Sequence, residues 1–425
     1  MDSTVTTPSE TIPTTSDTDE SLVAATSIAA DEQDLREELV PALGQPEASA
    51  QATPKRPWLI VRAFLKICSA VEWLFGLGSM IFILAVLATI PIVNMLSLGY
   101  LLEVSGRIAR TGKFSEGFIG IRTAARIGSL ALGTWLMFIP LRLLSGFWTS
   151  SYLIDAESVQ SQRLWIGLVA ATLLIGGHVA WAWFRGGKLR HFIWPAPLKL
   201  FRRLFSGGMY SEARDNTLEF IKKLRVWHYF SLGVRGFLGT FLWLAIPVLW
   251  MILARQLSQP VAAVLVSLPG MLLFCIVLLY LPFVQAHFAA ENRWGALFEI
   301  RKVGKLFAKA PIAFWTALFI TLLFALPLYL LKIELIDREI AWLPSLVFVA
   351  FMLPARFLSG WAVARARRRA EPRHFIFRWL ARLGNLPVVF LYVFFMYLAL
   401  YVSWRGAYGL LEQHAFLVPV PFLGG

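Results

Sequence analysis

Residues 281–332 read LPFVQAHFAAENRWGALFEIRKVGKLFAKAPIAFWTALFITLLFALPLYLLK, and their pattern decides the fold class. An apolar run ends near Phe283. A charged stretch follows, with Glu291, Arg293, Glu299, Arg301, Lys302, Lys305 and Lys309. From Pro311 the chain is apolar again for about 20 residues, the length that crosses about 30 Å of hydrocarbon at 1.5 Å per residue. This unit of span, basic surface segment and span recurs from residue 55 onward. Backbone groups in lipid must be satisfied within their own segment or in a closed barrel. Barrel strands would alternate in polarity over segments of about 10 residues, and none do. The fold class is therefore all-α, a polytopic helical membrane protein.

Composition agrees. Of the 425 residues, 57% are hydrophobic and 16% charged, against about 25% charged in soluble domains. Many of the 17 tryptophans, among them Trp148, Trp165, Trp250, Trp315, Trp342 and Trp404, stand at the ends of apolar blocks. Indole favours the headgroup level. Only Cys68 and Cys275 are present, both in or beside apolar blocks, which argues against a disulfide framework and a zinc site.

The net charge of +14 joins two opposite parts. Residues 1–54 hold 11 acids and one base, for −10, and the other 371 residues hold 39 bases and 15 acids, for +24. The first part is rich in Ser, Thr, Pro and Ala and reads as a disordered acidic tail. The bases of the second lie between spans, so membrane lipids with anionic headgroups are the expected partner rather than nucleic acid.

The spans read Ile127–Trp148, Leu164–Phe184, Phe237–Leu253, Val261–Phe283, Pro311–Lys332, Ala341–Ala362 and Leu386–Trp404. The first apolar region, 73–104, is too long for one straight span. It divides at Pro91–Asn94 into Trp73–Ile90 and a return limb, Ile92–Val104, or forms a single kinked segment. Eight hydrophobic regions result, or nine segments with the hairpin. Residues 105–126, 185–228, 284–310 and 364–385 hold 27 bases and 7 acids, whereas 149–163, 254–260, 333–340 and 405–425 hold 4 bases and 6 acids. Bases are retained in the cytoplasm. The first set is expected inside and the C-terminus outside.

Two spans share a local pattern. Ile139–Trp148 reads IPLRLLSGFW and Leu353–Ala362 reads LPARFLSGWA. They run in opposite directions by the loop rule, as in inverted-repeat transporters. Intramembrane ionisable residues are the default functional hint. Arg356 lies deepest, and Arg142 and His178 complete the candidate intramembrane polar site. Snorkelling and helix packing are the competing accounts.

Ala289–Lys309 reads as one amphipathic helix. Its bases Arg301, Lys302, Lys305 and Lys309 would contact lipid or a protein partner. His287, Glu291 and Glu299 share enough of this region to suggest a cation site. The chain has no phosphate loop, dinucleotide fingerprint, HExxH or nucleophile elbow, so nothing points to an enzyme or a cofactor.

Ile90–Arg110 (IPIVNMLSLGYLLEVSGRIAR) resembles the Pro-x-x-Asn then Gly-Tyr-Leu-Leu signature of bacterial multi-pass membrane proteins known only as a domain of unknown function. Gln285–Val303 (QAHFAAENRWGALFEIRKV) resembles related uncharacterised membrane proteins. The resemblance implies a bacterial inner membrane and assigns no activity and no site residue. Two main function classes stay open, a permease-like protein binding a small solute or lipid and a scaffold recruiting partners through its basic face. A membrane-embedded enzyme acting on lipid is a third.

Overall fold

The structure, a computed structural model, describes residues 59–197, 209–330 and 342–402. The acidic tail 1–54, the loop 333–340 and residues 405–425 lie outside the described residues, as do the last residues of two expected spans. Contacts divide the chain into 1–65 and 66–425. Of the first unit only the opening of one helix is described. The second unit holds all the packing between helices.

Among the described residues there are twelve α-helices and no strand. They are α1 (Leu59–Thr89), α2 (Asn94–Thr111), α3 (Ile121–Ile154), α4 (Val159–Phe184), α5 (Leu189–Ile193), α6 (Met209–Leu224), α7 (Val226–Arg255), α8 (Pro260–Glu291), α9 (Ile300–Lys309), α10 (Pro311–Leu330), α11 (Trp342–Arg367) and α12 (Phe375–Val402). Seven stretches are long and apolar enough to cross a membrane, and α10 makes an eighth only with α9, from which it is bent by 111°. The chain is a polytopic helical membrane protein. Prolines lie inside α3, α7, α8, α10, α11 and α12, as membrane helices tolerate.

The first apolar region is two helices, broken at Ile90–Val93, where Ile92 takes a left-handed φ of 69°. The Tyr100 hydroxyl donates to the Met80 sulfur. These residues stand at similar distances on either side of the break, so the chain doubles back there. The second helix is not a lipid-facing limb. Most of α2 is buried, including Asn94, Ser97, Glu103 and Ser105, with α7, α8 and α11 packed around it.

Glycine makes that packing close. A Cβ on Gly99 would sit 1.7 Å from the Tyr229 carbonyl oxygen, and one on Gly233 would sit 1.8 Å from that of Met95. Helices α2 and α7 therefore touch backbone to backbone, as small residues permit in membranes. Helices α10 and α12 complete this bundle. Helices α3 and α4 pack on each other and on α5, around a separate small cluster of Val179, Ala182 and Phe192. Most of their apolar side chains face outward, Leu174 being 75% exposed.

The expected helix Ala289–Lys309 is broken. Helix α8 runs on to Glu291, eight residues past the expected end of its span, and stops at Asn292 in the left-handed conformation. A 3₁₀ turn, Trp294–Phe298, leads into α9. Asn tolerates positive φ better than other non-glycine residues, and it overrides an otherwise helical pattern. The apolar side of α9 rests partly on protein, with Val303 buried and the Phe307 ring 5.8 Å from that of Phe314.

Candidate functional site: a buried arginine above an ion network

The basic segments of the bundle meet at one end. The guanidinium of Arg110 donates to the carbonyls of Ala289 and Ala290, at 2.8 and 3.3 Å, satisfying acceptors in the last turn of α8. Arg368 donates to the Thr111 carbonyl, Arg369 to that of Lys309, and Arg235 to the Asn292 side chain. The ends of α2, α8, α9 and α11 and the first turns of α7 are thus stitched together.

Two carboxylates are neutralised there. Glu103 on α2, its side chain 6% exposed, has the Arg110 guanidinium at 2.8 Å, Arg107 at 3.7 Å and the His228 ring at 3.4 Å. Glu299, just before α9, meets His287 at 2.8 Å, Arg293 at 2.6 Å and Lys302 at 2.9 Å. The His287 hydrogen bond, then Lys302 and Arg293, hold its carboxyl far below the usual carboxylate value, at about 2. Arg367 donates to Glu291 at 2.7 Å and faces His287 Nδ1 at 3.1 Å. A guanidinium only donates, so Nδ1 accepts and Nε2–H donates to Glu299. The expected cation site at His287, Glu291 and Glu299 is therefore an ion-pair network with arginine and lysine. Among the described residues no three His, Cys, Asp or Glu gather to hold a metal.

Arg356 lies deeper, on α11, eleven positions before Arg367, about 16 Å along a helix. It is 4% exposed. Its Nη1 donates to Gln285 Oε1 on α8 at 2.5 Å, and Gln285 Nε2 donates to Thr240 Oγ1 on α7 at 2.6 Å. Gln285 and Thr240 are both 0% exposed. The arginine fixes the amide's orientation, since only the oxygen can accept from it. Three helices thus contribute to one buried polar chain, and among the described residues no carboxylate pairs with Arg356. One turn further along α11, a Cβ on Gly360 would lie 2.4 Å from the Ser105 carbonyl oxygen. That crossing locks α11 against α2.

The structure does not gather the three residues singled out from sequence. Arg142 is exposed on α3. His178 on α4 lies 2.7 Å from the Phe192 carbonyl through Nε2 and ties α4 to α5. Only Arg356 belongs to the bundle interior. Of the candidate contact residues, Arg301, Lys302 and Lys305 are exposed, and Lys309 is half-buried. Sequence reasoning missed Gln285, Thr240, Glu103 and Arg367 as site residues. Glu103 carried a signal, as the one acid inside the apolar limb 92–104. Gln285 carried little, because it stood two residues past an expected span end.

The arrangement places a guanidinium, an amide and a hydroxyl in one hydrogen-bonded chain inside an apolar bundle. No protein-family model, curated protein or solved structure matches the chain.

Proposed function

We propose that this is a permease-like protein of a bacterial cytoplasmic membrane, binding a small solute inside the bundle at Arg356, Gln285 and Thr240. The end that carries Arg110, Arg235 and Arg367 faces the cytoplasm on this reading, and Arg301, Lys302 and Lys305 meet anionic headgroups there.

One observation carries the proposal: Arg356 is buried among three helices and hydrogen-bonded to a neutral amide. Placing an arginine near mid-membrane costs about 2.5–3.5 kcal/mol on insertion scales. A cation kept at this depth, with hydrogen-bonding groups from two other helices beside it, is suited to a ligand.

The scaffold reading has its own support in the backbone contacts at Gly99 and Gly233, which make α2 and α7 a stiff unit, and in the exposed bases of α9. A thermal-stability screen of purified protein separates the two. Neutral, cationic and anionic small solutes are tested on wild type and on Arg356→Lys, which keeps charge but loses the planar fork. The permease reading expects at least one solute to raise the midpoint of wild type and to lose most of that effect in the variant. If every solute acts equally on both proteins, the scaffold reading takes its place.

A further inference from the structure

We infer that the ligand at Arg356 is a monoanionic oxyanion, a carboxylate or a phosphodiester, held side-on by the Nε–Nη2 edge of the guanidinium. The inference rests on the solute-binding reading above and adds the chemical class.

Charge neutralisation elsewhere in the bundle gives the first reason. Glu103 is met by Arg110, Arg107 and His228, Glu299 by His287, Arg293 and Lys302, and Arg367 by Glu291. Each of these carboxylates at the basic end faces opposite charge. Arg356 is more enclosed than any of the arginines in these pairs, yet its side-chain partner among the described residues is the neutral Gln285 amide. Arginine does not lose its proton at accessible pH. Among the described residues this positive charge has no counter-charge inside the apolar bundle, where opposite charge is worth far more than in water.

The guanidinium's own geometry gives the second reason. It carries five N–H donors in a rigid plane. Gln285 takes Nη1, which lies on the side of the side-chain stem. The opposite edge, with the parallel Nε–H and Nη2–H, is the one that pairs with two oxygens of a carboxylate or phosphate. A cationic ligand would meet repulsion at this edge. A neutral amide would satisfy the hydrogen bonds but leave the charge. A dianion would replace one uncompensated charge by another. A single negative charge on two coplanar oxygens meets both demands, whether on a free solute or on an anionic lipid headgroup drawn between the helices.

The test uses the full-length protein, delipidated in uncharged detergent, with its thermal midpoint as readout. The probes are benzoate and dimethyl phosphate, with benzamide as neutral isostere, benzamidine as cation and sodium chloride as salt control. Benzoate or dimethyl phosphate at saturation is expected to raise the midpoint by about 2 °C or more. Benzamide, benzamidine and chloride should not. Arg356→Leu and Arg356→Gln should abolish the rise, Arg356→Lys should keep a small part of it, and Arg142→Leu should keep all of it.

A second arm compares nanodiscs of phosphatidylglycerol and phosphatidylcholine. An Arg356-dependent rise in phosphatidylglycerol alone supports the inference with a headgroup as the oxyanion. If benzamide or benzamidine gives the Arg356-dependent rise, the anion is overturned and the solute site stands. If the oxyanions act equally on wild type and on both neutral variants, or not at all in either arm, the anion site falls. When no solute of any charge acts through Arg356, the solute site falls with it.

Discussion

The segments IPLRLLSGFW at 139–148 and LPARFLSGWA at 353–362 share five residues and occupy opposite kinds of place. In α11, Arg356 is buried against Gln285, Ser359 is buried, and Gly360 presses on the backbone of α2. In α3, Arg142 is exposed, Ser145 is half-buried, and a Cβ on Gly146 would meet nothing within 4 Å. The shared pattern is therefore no sign that the two segments play equivalent parts. The same residues serve as a helix-crossing site in one and as outward-facing surface in the other. What separates them is the neighbours: α2 and α8 flank the first, whereas α3 is partnered mainly by α4 and α5.

The glycines should show the largest difference. Gly99→Ala forces a methyl group into a carbonyl oxygen of α7, and Gly360→Ala does the same against α2. Overpacking costs about 1–3 kcal/mol and sometimes more. Both variants should fall at or above the top of that range, because backbone rather than a side chain must move. Gly146→Ala should be neutral or stabilise by up to about 1 kcal/mol, since alanine is the better helix former. Thermal unfolding in detergent, followed by tryptophan fluorescence, reads all three. Equal effects at 360 and 146 would erase the distinction between the two regions.

The arginines come next. Arg356→Leu leaves Gln285 without its charged donor inside the bundle and should destabilise by about 1–3 kcal/mol. Arg142→Leu changes an exposed position on α3 and should alter stability by about 0.5 kcal/mol or less. A midpoint for Arg356→Leu at or above wild type would remove the case for a buried polar chain at this position.

These contrasts mark what was legible in the sequence. Long apolar runs announce themselves through composition alone, so the fold class and the existence of the long helices followed from it. Helix α2 did not. Its Asn94, Ser97, Glu103 and Ser105 lower its hydropathy, and it is central because α7, α8 and α11 supply partners that no local window contains. The break at Asn292 lay hidden inside an amphipathic pattern whose apolar positions continue on both sides. Arg356 was visible as a charge in an apolar run. Its partners were not, because Gln285 lies 71 positions away along the chain, and Thr240 stands in a span with no ionisable neighbour closer than Arg235.

The smallest effect concerns the basic end of the bundle, which has no counterpart in the α3–α4 hairpin. Three cationic or hydrogen-bonding partners converge on Glu299, its carboxyl falls from 4.5 to about 2, and His287 is the first cause. A carboxyl whose folded value is depressed contributes stability that is fully present above its unfolded value. That contribution is lost as pH falls through the folded value. For Glu299 it should therefore be complete above about pH 4.5 and disappear towards pH 2. Glu299 is partly exposed, so solvent screening keeps the contribution to about 1 kcal/mol or less. Comparing wild type with Glu299→Gln isolates it. The midpoint difference between the two proteins should be constant from about pH 7 to about 5, shrink below that and vanish near about pH 2. High salt should reduce it throughout, as expected for partly screened charges. Hydrogen exchange in Trp294–Phe298 and α9 should rise in Glu299→Gln at neutral pH, because His287, Arg293 and Lys302 then lose the charge that holds this turn to α8. Exchange in the α3–α4 hairpin should stay as it is. If the difference persists unchanged at low pH, the His287–Glu299 contact is held by shape and not by charge, and the two regions differ in packing alone.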